Sequence, residues 1–298
     1  METSIAARLL DLSRQFYQTF GGEFSATRGR IQPGVRRVLE TLRGDEIILD
    51  LGCGNGELAR ALARRGHRGS YTGLDFSLPL LKEAERQLES FSANFLQADL
   101  TSPDWENVIA RGEAPTLAPA ASAGEQSHVT SSPEIASSGF DTVRAASNGG
   151  TPVRDGRLSP PRNDMFDIVF CFAVLHHIPG THLRLRLLNK VHSLLADGGG
   201  FIHSEWQFLN SPRLRERIQD WGQIGLAAAD VDINDYLLDW RHGGRGLRYV
   251  HHFDEAELNA LADSQQDLQT GRLADGLQEE CYFFNGRHIR RHEYIIFP

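Results

Sequence analysis

Five residues, Gly52-Cys53-Gly54-Asn55-Gly56, place three glycines at alternate positions directly after the apolar run Ile47-Ile48-Leu49-Asp50-Leu51. Without Cβ atoms at those positions the backbone can turn tightly and lie against a ligand. The spacing is not the dinucleotide fingerprint G-x-G-x-x-G, and a glycine-rich loop alone is a weak signal. Two acids give it weight. Leu74-Asp75 ends a second apolar run, where a carboxylate can accept hydrogen bonds from two ribose hydroxyls. Ala98-Asp99 ends a third, where a carboxylate can accept from an adenine amino group. Three ligand-facing features at the tips of three successive strands imply one crevice holding an adenosine-bearing cofactor.

A second set of residues has chemistry suited to a reaction partner. Tyr17, Phe24, Trp240 and Tyr249 can stack an unpaired base, and Arg28 and Arg248 can pair bidentately with a carboxylate or phosphate. Core packing for the aromatics and solvated surface positions for the arginines are the plain alternatives. His176 and His177 follow a long apolar strand and can supply a base or contact an acceptor. Glu205 and Trp206 end the next strand and are expected in the same pocket. Of His251 and His252, at most one faces it if the segment is extended. No histidine has metal-ligand spacing with a third ligand, and Cys53, Cys171 and Cys281 form no cluster, so no metal is expected.

Alternating strands and helices must position these groups. Residues 4–20 and 34–42 carry apolar helical faces, and helices are predicted at 57–65, 79–90 and 182–195. Strands are predicted at 46–51, 70–74, 94–98, 166–172 and 201–206. Near the C-terminus, 280–284 and 289–297 flank Asn285-Gly286, a strong hairpin signal. The pattern predicts an open α/β sheet with mostly parallel strands and an antiparallel edge. Residues 101–163 interrupt it with seven of the chain's 12 prolines and no sustained periodicity, and read as a disordered insertion.

Composition narrows the possibilities. The 298 residues are 40% hydrophobic and 23% charged, a globular average. The longest apolar run, Ile168 to Leu175, is far shorter than the roughly 18 residues of a membrane span. Met1 to Phe20 carries charges among its apolar residues and has no basic cap, which argues against a secretory signal and for the cytoplasm. A net charge of −8 gives no overall attraction for nucleic acid, although residues 1–43 hold seven Arg against four acids.

Taken together, residues 46–206 and the terminal hairpin resemble the class I S-adenosylmethionine-dependent methyltransferases. Asp164-Met165-Phe166-Asp167-Ile168-Val169 is similar to that family's fourth motif, and Leu194-Leu195-Ala196-Asp197-Gly198-Gly199-Gly200 to the turn before its fifth strand. The resemblance implies a Rossmann-like fold with a mostly parallel seven-stranded sheet and a C-terminal antiparallel hairpin. It divides the chain into a helical substrate-side segment, 1–43, and a methyltransferase domain, 44–298. It implies S-adenosylmethionine at Asp50, Gly52, Cys53, Gly54, Asn55, Gly56, Asp75, Phe76, Asp99, Leu100 and Phe172. The stretch Phe24-Ser25-Ala26-Thr27-Arg28 and the segments 235–240 and 247–253 resemble the tRNA wobble-uridine carboxymethyl methyltransferases, some of which work with a small activator subunit. That resemblance implies tRNA as acceptor, with Tyr17, Arg28, His176, His177, Glu205, Trp240, Arg248 and Tyr249 as acceptor-side candidates. A small metabolite as acceptor, or a non-catalytic cofactor-binding subunit, are the competing readings.

Overall fold

The computed structural model describes residues 1–26, 31–88, 91–111, 165–261 and 294–297. The chain begins with two helices, α1 (Thr3–Ala26) and α2 (Pro33–Thr41). It then alternates through β1 (Ile48–Leu51), α3 (Glu57–Arg64), β2 (Tyr71–Asp75), α4 (Leu78–Arg86), β3 (Ala93–Gln97) and α5 (Asn107–Arg111). After residue 164 come β4 (Phe166–Phe172), α6 (Thr181–Leu194), β5 (Leu195–Trp206) and the short α7 (Pro212–Arg215). Three strands, β6 (Ile218–Gln219), β7 (Asp235–Trp240) and β8 (Gly246–His251), precede the terminal β9 (Tyr294–Phe297).

Among the described residues the main sheet has the order β3-β2-β1-β4-β5-β9, every pairing parallel. Its strands are apolar on both faces because helices cover both. Ile48 and Phe170 face a cluster with Val35, Leu39, Leu62 and Leu81, whereas Leu49, Leu51 and Val169 face one with Leu183, Leu187 and Val191. The chain leaves β1 toward β2 and β3, then returns to place β4 on the other side. This reversal opens a crevice at the carboxyl ends of β1 and β4, where ligands of such sheets bind.

A separate antiparallel sheet, β6-β7-β8, stands apart from the first. α1 lies on it: Leu9 packs with Trp221, Leu237 and Tyr249, and Phe16 and Tyr17 pack with Trp240. The buried positions Ala6, Leu9, Ser13, Phe16, Tyr17 and Gly21 fall three or four apart, the spacing of one helical face.

Among the described residues the main sheet has six strands; the expected seventh, the hairpin arm 280–284, lies outside them, and the segments 235–240 and 246–251 pair with each other in the second sheet. Two expectations need correction. The terminal strand β9 runs parallel to β5, so this edge is not antiparallel; the Asn285-Gly286 turn and its first arm lie outside the described residues. A hairpin signal orients two arms relative to each other and says nothing about which way either meets the sheet. The insertion also begins later than 101. Trp105 is 3% exposed within the core, α5 follows it, and Glu106 pairs with Lys190 of α6. One buried indole ties a polar stretch to the core without producing any periodicity. The remainder of the expected insertion, 112–163, lies outside the described residues.

Candidate functional site

The glycine loop turns off β1 under tight control. Gly52 and Cys53 both donate their N–H groups to the carbonyl of Leu74, at 2.7 and 3.0 Å, locking the loop to the end of β2. All three glycines hold positive φ, 71°, 55° and 75°. Their surroundings differ. A Cβ at Gly52 would collide with Val174, and one at Gly56 would lie 2.8 Å from the Cβ of Ala84 in α4. One at Gly54 would meet no protein atom within 4 Å. Gly54 also lines a cavity of about 410 Å³ at the carboxyl edge of the sheet, the size of a small-ligand site.

Asp75 anchors the loop from the next strand. Its Oδ2 accepts the Gly54 N–H at 2.9 Å and its Oδ1 the Ser77 N–H at 2.8 Å, leaving further lone pairs on both oxygens. Burial raises its pKa to about 6 against those backbone hydrogen bonds, which favour the ion. Asp50 lies deeper, accepts from the Tyr71 hydroxyl, and is pushed by burial to about 7, with the Asp75 charge adding to the rise. Asp99 is held differently. Its Oδ1 accepts from Thr101 N at 2.9 Å and Thr101 Oγ1 at 2.6 Å, and its Oδ2 pairs with Arg14 of α1.

On the opposite wall, β4 is followed by Ala173, a non-glycine residue with φ of 60° whose N–H donates to Ser204 O at 3.0 Å. Backbone held in that region carries strain that the surrounding packing must maintain. The kink turns Leu175–His177 into a short 3₁₀ helix and brings both histidines to the cavity wall. His176 Nδ1 lies 2.9 Å from Glu205 Oε2, and His203 Nδ1 lies 3.2 Å from Oε1. A carboxylate only accepts, so each Nδ1 is the donor, which leaves Nε2 as the second nitrogen of His176. Burial drives the Glu205 pKa upward, but the hydrogen bonds and electrostatic attraction of His176 and His203 together outweigh it and hold the carboxyl below its usual range. His177 is fixed by the same reasoning: Nδ1 donates to the Tyr249 carbonyl at 3.3 Å, and Nε2 accepts from the Tyr17 hydroxyl at 2.7 Å.

Arg248 reaches the cavity from β8. Only 5% exposed, its guanidinium carbon lies 4.8 Å from the Trp206 ring centre and 5.4 to 5.9 Å from those of Phe16, Phe24 and Trp240.

Of the residues predicted from sequence, Asp50, Gly52, Cys53, Gly54, Asn55, Asp75, Phe76, Asp99, Leu100 and Phe172 all line the cavity, with Tyr17, His176, His177 and Arg248. Gly56 does not; it lets α3 approach α4. Glu205 stands behind His176. Trp240 is packed behind Phe24 and Arg248, outside the lining. The Tyr249 ring is wholly buried, with its hydroxyl on Asp235 at 2.7 Å, so it is a core residue and not an acceptor contact. An outward-facing stacking tyrosine and a buried hydrogen-bonded one look alike in sequence. Arg28 lies outside the described residues. Sequence reasoning missed Arg14 of α1 and read Ser25 only as part of the 24–28 stretch; Ser25 accepts from Asn55 Nδ2 at 2.7 Å. No sequence signal ties a helix 30 residues upstream to the loop. Among the described residues no three His, Cys, Asp or Glu side chains group to hold a metal ion, and no helix is long and apolar enough to cross a membrane.

A doubly wound sheet with a glycine loop at its switch point and acids at successive strand tips defines a nucleotide-cofactor enzyme of the Rossmann-like class. Residues 24–266 match the model of a family described as a methyltransferase domain, and the chain belongs to that family. It is a methyltransferase. A curated protein of Encephalitozoon cuniculi, named only provisionally as a methyltransferase, is 26% identical over 272 residues, 90% of this chain and 91% of that one. Among solved structures, a S-adenosylmethionine-dependent methyltransferase of Methanosarcina mazei is 19% identical with a TM-score of 0.48, covering 85% of this chain and 87% of that one. The methyltransferase in a complex with the Haloferax volcanii Trm112 activator is 15% identical with a TM-score of 0.39, covering 63% and 58%. S-adenosylmethionine is the methyl donor this cavity fits: the space over Gly54 is what close backbone approach requires, and Asp75 keeps acceptor capacity for a ribose.

Proposed function

We propose that the protein transfers the methyl group of S-adenosylmethionine to the carboxymethyl group of a modified wobble uridine in tRNA, forming a methyl ester. The observation that carries this reading is Arg248, a guanidinium set among aromatic rings in the wall of the cofactor cavity. Such a wall suits a planar base bearing an anion: Tyr17 and Phe24 offer ring faces or edges, and Arg248 offers a bidentate partner for the carboxylate. When bound, the donor supplies a sulfonium-activated methyl carbon. The chain's own task is to fix the carboxylate oxygen in line, exclude water and leave the acceptor ionised. A carboxylate with a reference pKa of about 4 needs no base for that. In this reading the glycine loop and Asp75 hold the donor, with Asp50 supporting the loop from beneath.

The test is methyl transfer from labelled donor to total tRNA carrying the unesterified carboxymethyl group, read by nucleoside mass spectrometry. Label in the methyl ester of wobble uridine supports the reading, and none in any tRNA nucleoside refutes it. The His176–Glu205 pair favours a second reading, because a buried ionised carboxylate behind an imidazole increases that ring's basicity toward the cavity. A base of that kind suits a hydroxyl acceptor on a small metabolite. The two readings separate on pH at saturating donor: transfer to a carboxylate stays level above about pH 6, while a base-dependent transfer rises with pH until its base is unprotonated. A small activator partner belongs to the first reading and is tested by co-purification with the active enzyme.

A further inference from the structure

The three-stranded sheet is electrically polarised. Residues 211–219 hold three Arg and one acid, and residues 241–248 hold three Arg and none. Residues 220–235 hold four Asp and neither Arg nor Lys. The pairing of Ile218 with Leu238, extended by the Asp239 N–H donating to the Arg217 carbonyl at 3.0 Å, brings the first stretch beside the far end of β7. The β7–β8 turn leaves from that same end. Arg213, Arg215, Arg241 and Arg245 are therefore exposed together, with Arg217 partly so. Asp239 pairs with Arg241 at 2.5 Å, and Glu216 and Glu23 are the other nearby acids. The arginines outnumber these acids, against the −8 of the whole chain.

This basic end adjoins the cavity. Gly243 and Gly244 of the turn and Gly246 at the start of β8 lie against Glu23, Phe20 and Phe16 of α1, the stretch that contributes Tyr17 and Phe24 to the cavity wall. Arg248 continues the same strand into the cavity itself. We infer that the α7 and β7–β8 end of the small sheet is the surface on which the phosphodiester backbone of a folded RNA docks, with the cavity beside it receiving the base. All five cationic groups are arginine, whose planar fork meets phosphate oxygens two at a time. Phosphate contacts of this type set register and supply affinity, while the cavity reads the base. The inference rests on the RNA reading of the acceptor given above.

Binding of tRNA by the full chain, followed by fluorescence anisotropy between 50 and 200 mM salt, tests it. Reversing one residue from each stretch, Arg213→Glu with Arg245→Glu, should weaken binding about tenfold or more and lower the salt slope by roughly 1.5 to 2, the release expected from two lost phosphate contacts. Arg65→Glu with Arg68→Glu, an equal charge change at exposed sites near the amino-terminal edge of the main sheet, should leave affinity within about twofold. The milder pair Arg213→Gln with Arg245→Gln should give an intermediate loss, which guards against a folding defect in the reversal. Unchanged affinity and slope in both patch variants, or equal losses in patch and control, would overturn the inference, as would a wild-type chain that binds no tRNA. If tRNA binds through the patch but receives no methyl group, the docking surface stands and the acceptor chemistry fails.

Discussion

Replacing Gly54 and Gly56 separately by alanine should divide ligand binding from stability within one five-residue loop. Both residues hold left-handed φ, 55° and 75°, and any L-residue there costs about 1–2 kcal/mol. At Gly54 nothing is added to that, because the new methyl group meets no protein atom within 4 Å. At about 2–4 °C per kcal/mol for a chain of this size, the Gly54→Ala melting temperature should fall by only a few degrees. At Gly56 the methyl lies 2.8 Å from Ala84 Cβ and 3.2 Å from its Cα, and overpacking adds about 1–3 kcal/mol. The fall should then approach roughly 10 °C. Cofactor affinity should rank the other way. The Gly54 methyl enters the space assigned to the donor, and displacing the ligand from even one charge-assisted hydrogen bond to Asp75 forfeits about 1.5–3 kcal/mol, ten- to a hundredfold in Kd. Calorimetric titration with S-adenosylmethionine, alongside thermal melts of the apo proteins, measures both quantities. A Gly54→Ala protein that binds the donor as tightly as wild type would show that the open face of this loop is not the cofactor cradle.

The pKa of about 6 at Asp75 sets a pH dependence. Ribose hydroxyls donate to the ionised form, so donor affinity should be level above pH 7 and fall below pH 6 by at most about tenfold per unit; an affinity flat down to pH 5 contradicts the ribose assignment. Asp50, raised to about 7 by burial, holds a proton that the unfolded chain releases near pH 4, so its contribution to apo stability is present in acid and lost as pH rises through 7. Asp50→Asn should therefore flatten that part of the apo melting profile, and an unaltered profile speaks against the shift. Glu205→Gln removes the ionised partner of His176 and His203. It should cut kcat about a hundredfold or more if His176 is a base and leave the pH–rate profile unchanged in shape if the acceptor is a carboxylate. Trp105→Ala should cost about 3–5 kcal/mol, read as denaturant midpoint, since the indole is 3% exposed in the core; a loss under 1 kcal/mol would return residues 101–111 to the insertion.

The glycine-loop wall of the cavity was legible in sequence because backbone geometry and strand ends dictate it locally. Gly52, Gly54 and Asp75 act through φ angles and hydrogen bonds spanning at most 22 positions, and apolar strands ending in acids announce where the sheet edge lies. The acceptor side was less legible. Tyr249 and Trp240 read as stacking surfaces, yet one is buried on Asp235 and the other packs behind Arg248. An aromatic residue in an alternating strand has no local marker for which face meets the cavity. The small sheet itself went unread because its strands pair with one another instead of extending the parallel sheet. Asp99 shows the limit from the other direction: its position at a strand tip was clear, but its pairing with Arg14 depends on how a helix 85 residues upstream crosses the crevice.

That crossing bears on where selectivity resides. α1 reaches the site at three points, Arg14 on Asp99, Tyr17 on His177 and Ser25 on Asn55, so one helix touches the tip of β3, the turn after β4 and the glycine loop. The family match begins at residue 24, which leaves Arg14 and Tyr17 before it. The match does include Ser25 and Arg248, so the cavity wall draws on residues from both sides of its boundary. Because Phe16 and Tyr17 also pack on Trp240, a substitution that shifts α1 moves the arginine's aromatic surroundings at the same time. In the proposed reading, acceptor choice belongs to the helix and the small sheet together. An exchange of either alone for the corresponding segment of a methyltransferase with another acceptor should lose activity without conferring the new specificity, whereas exchanging both together should transfer it.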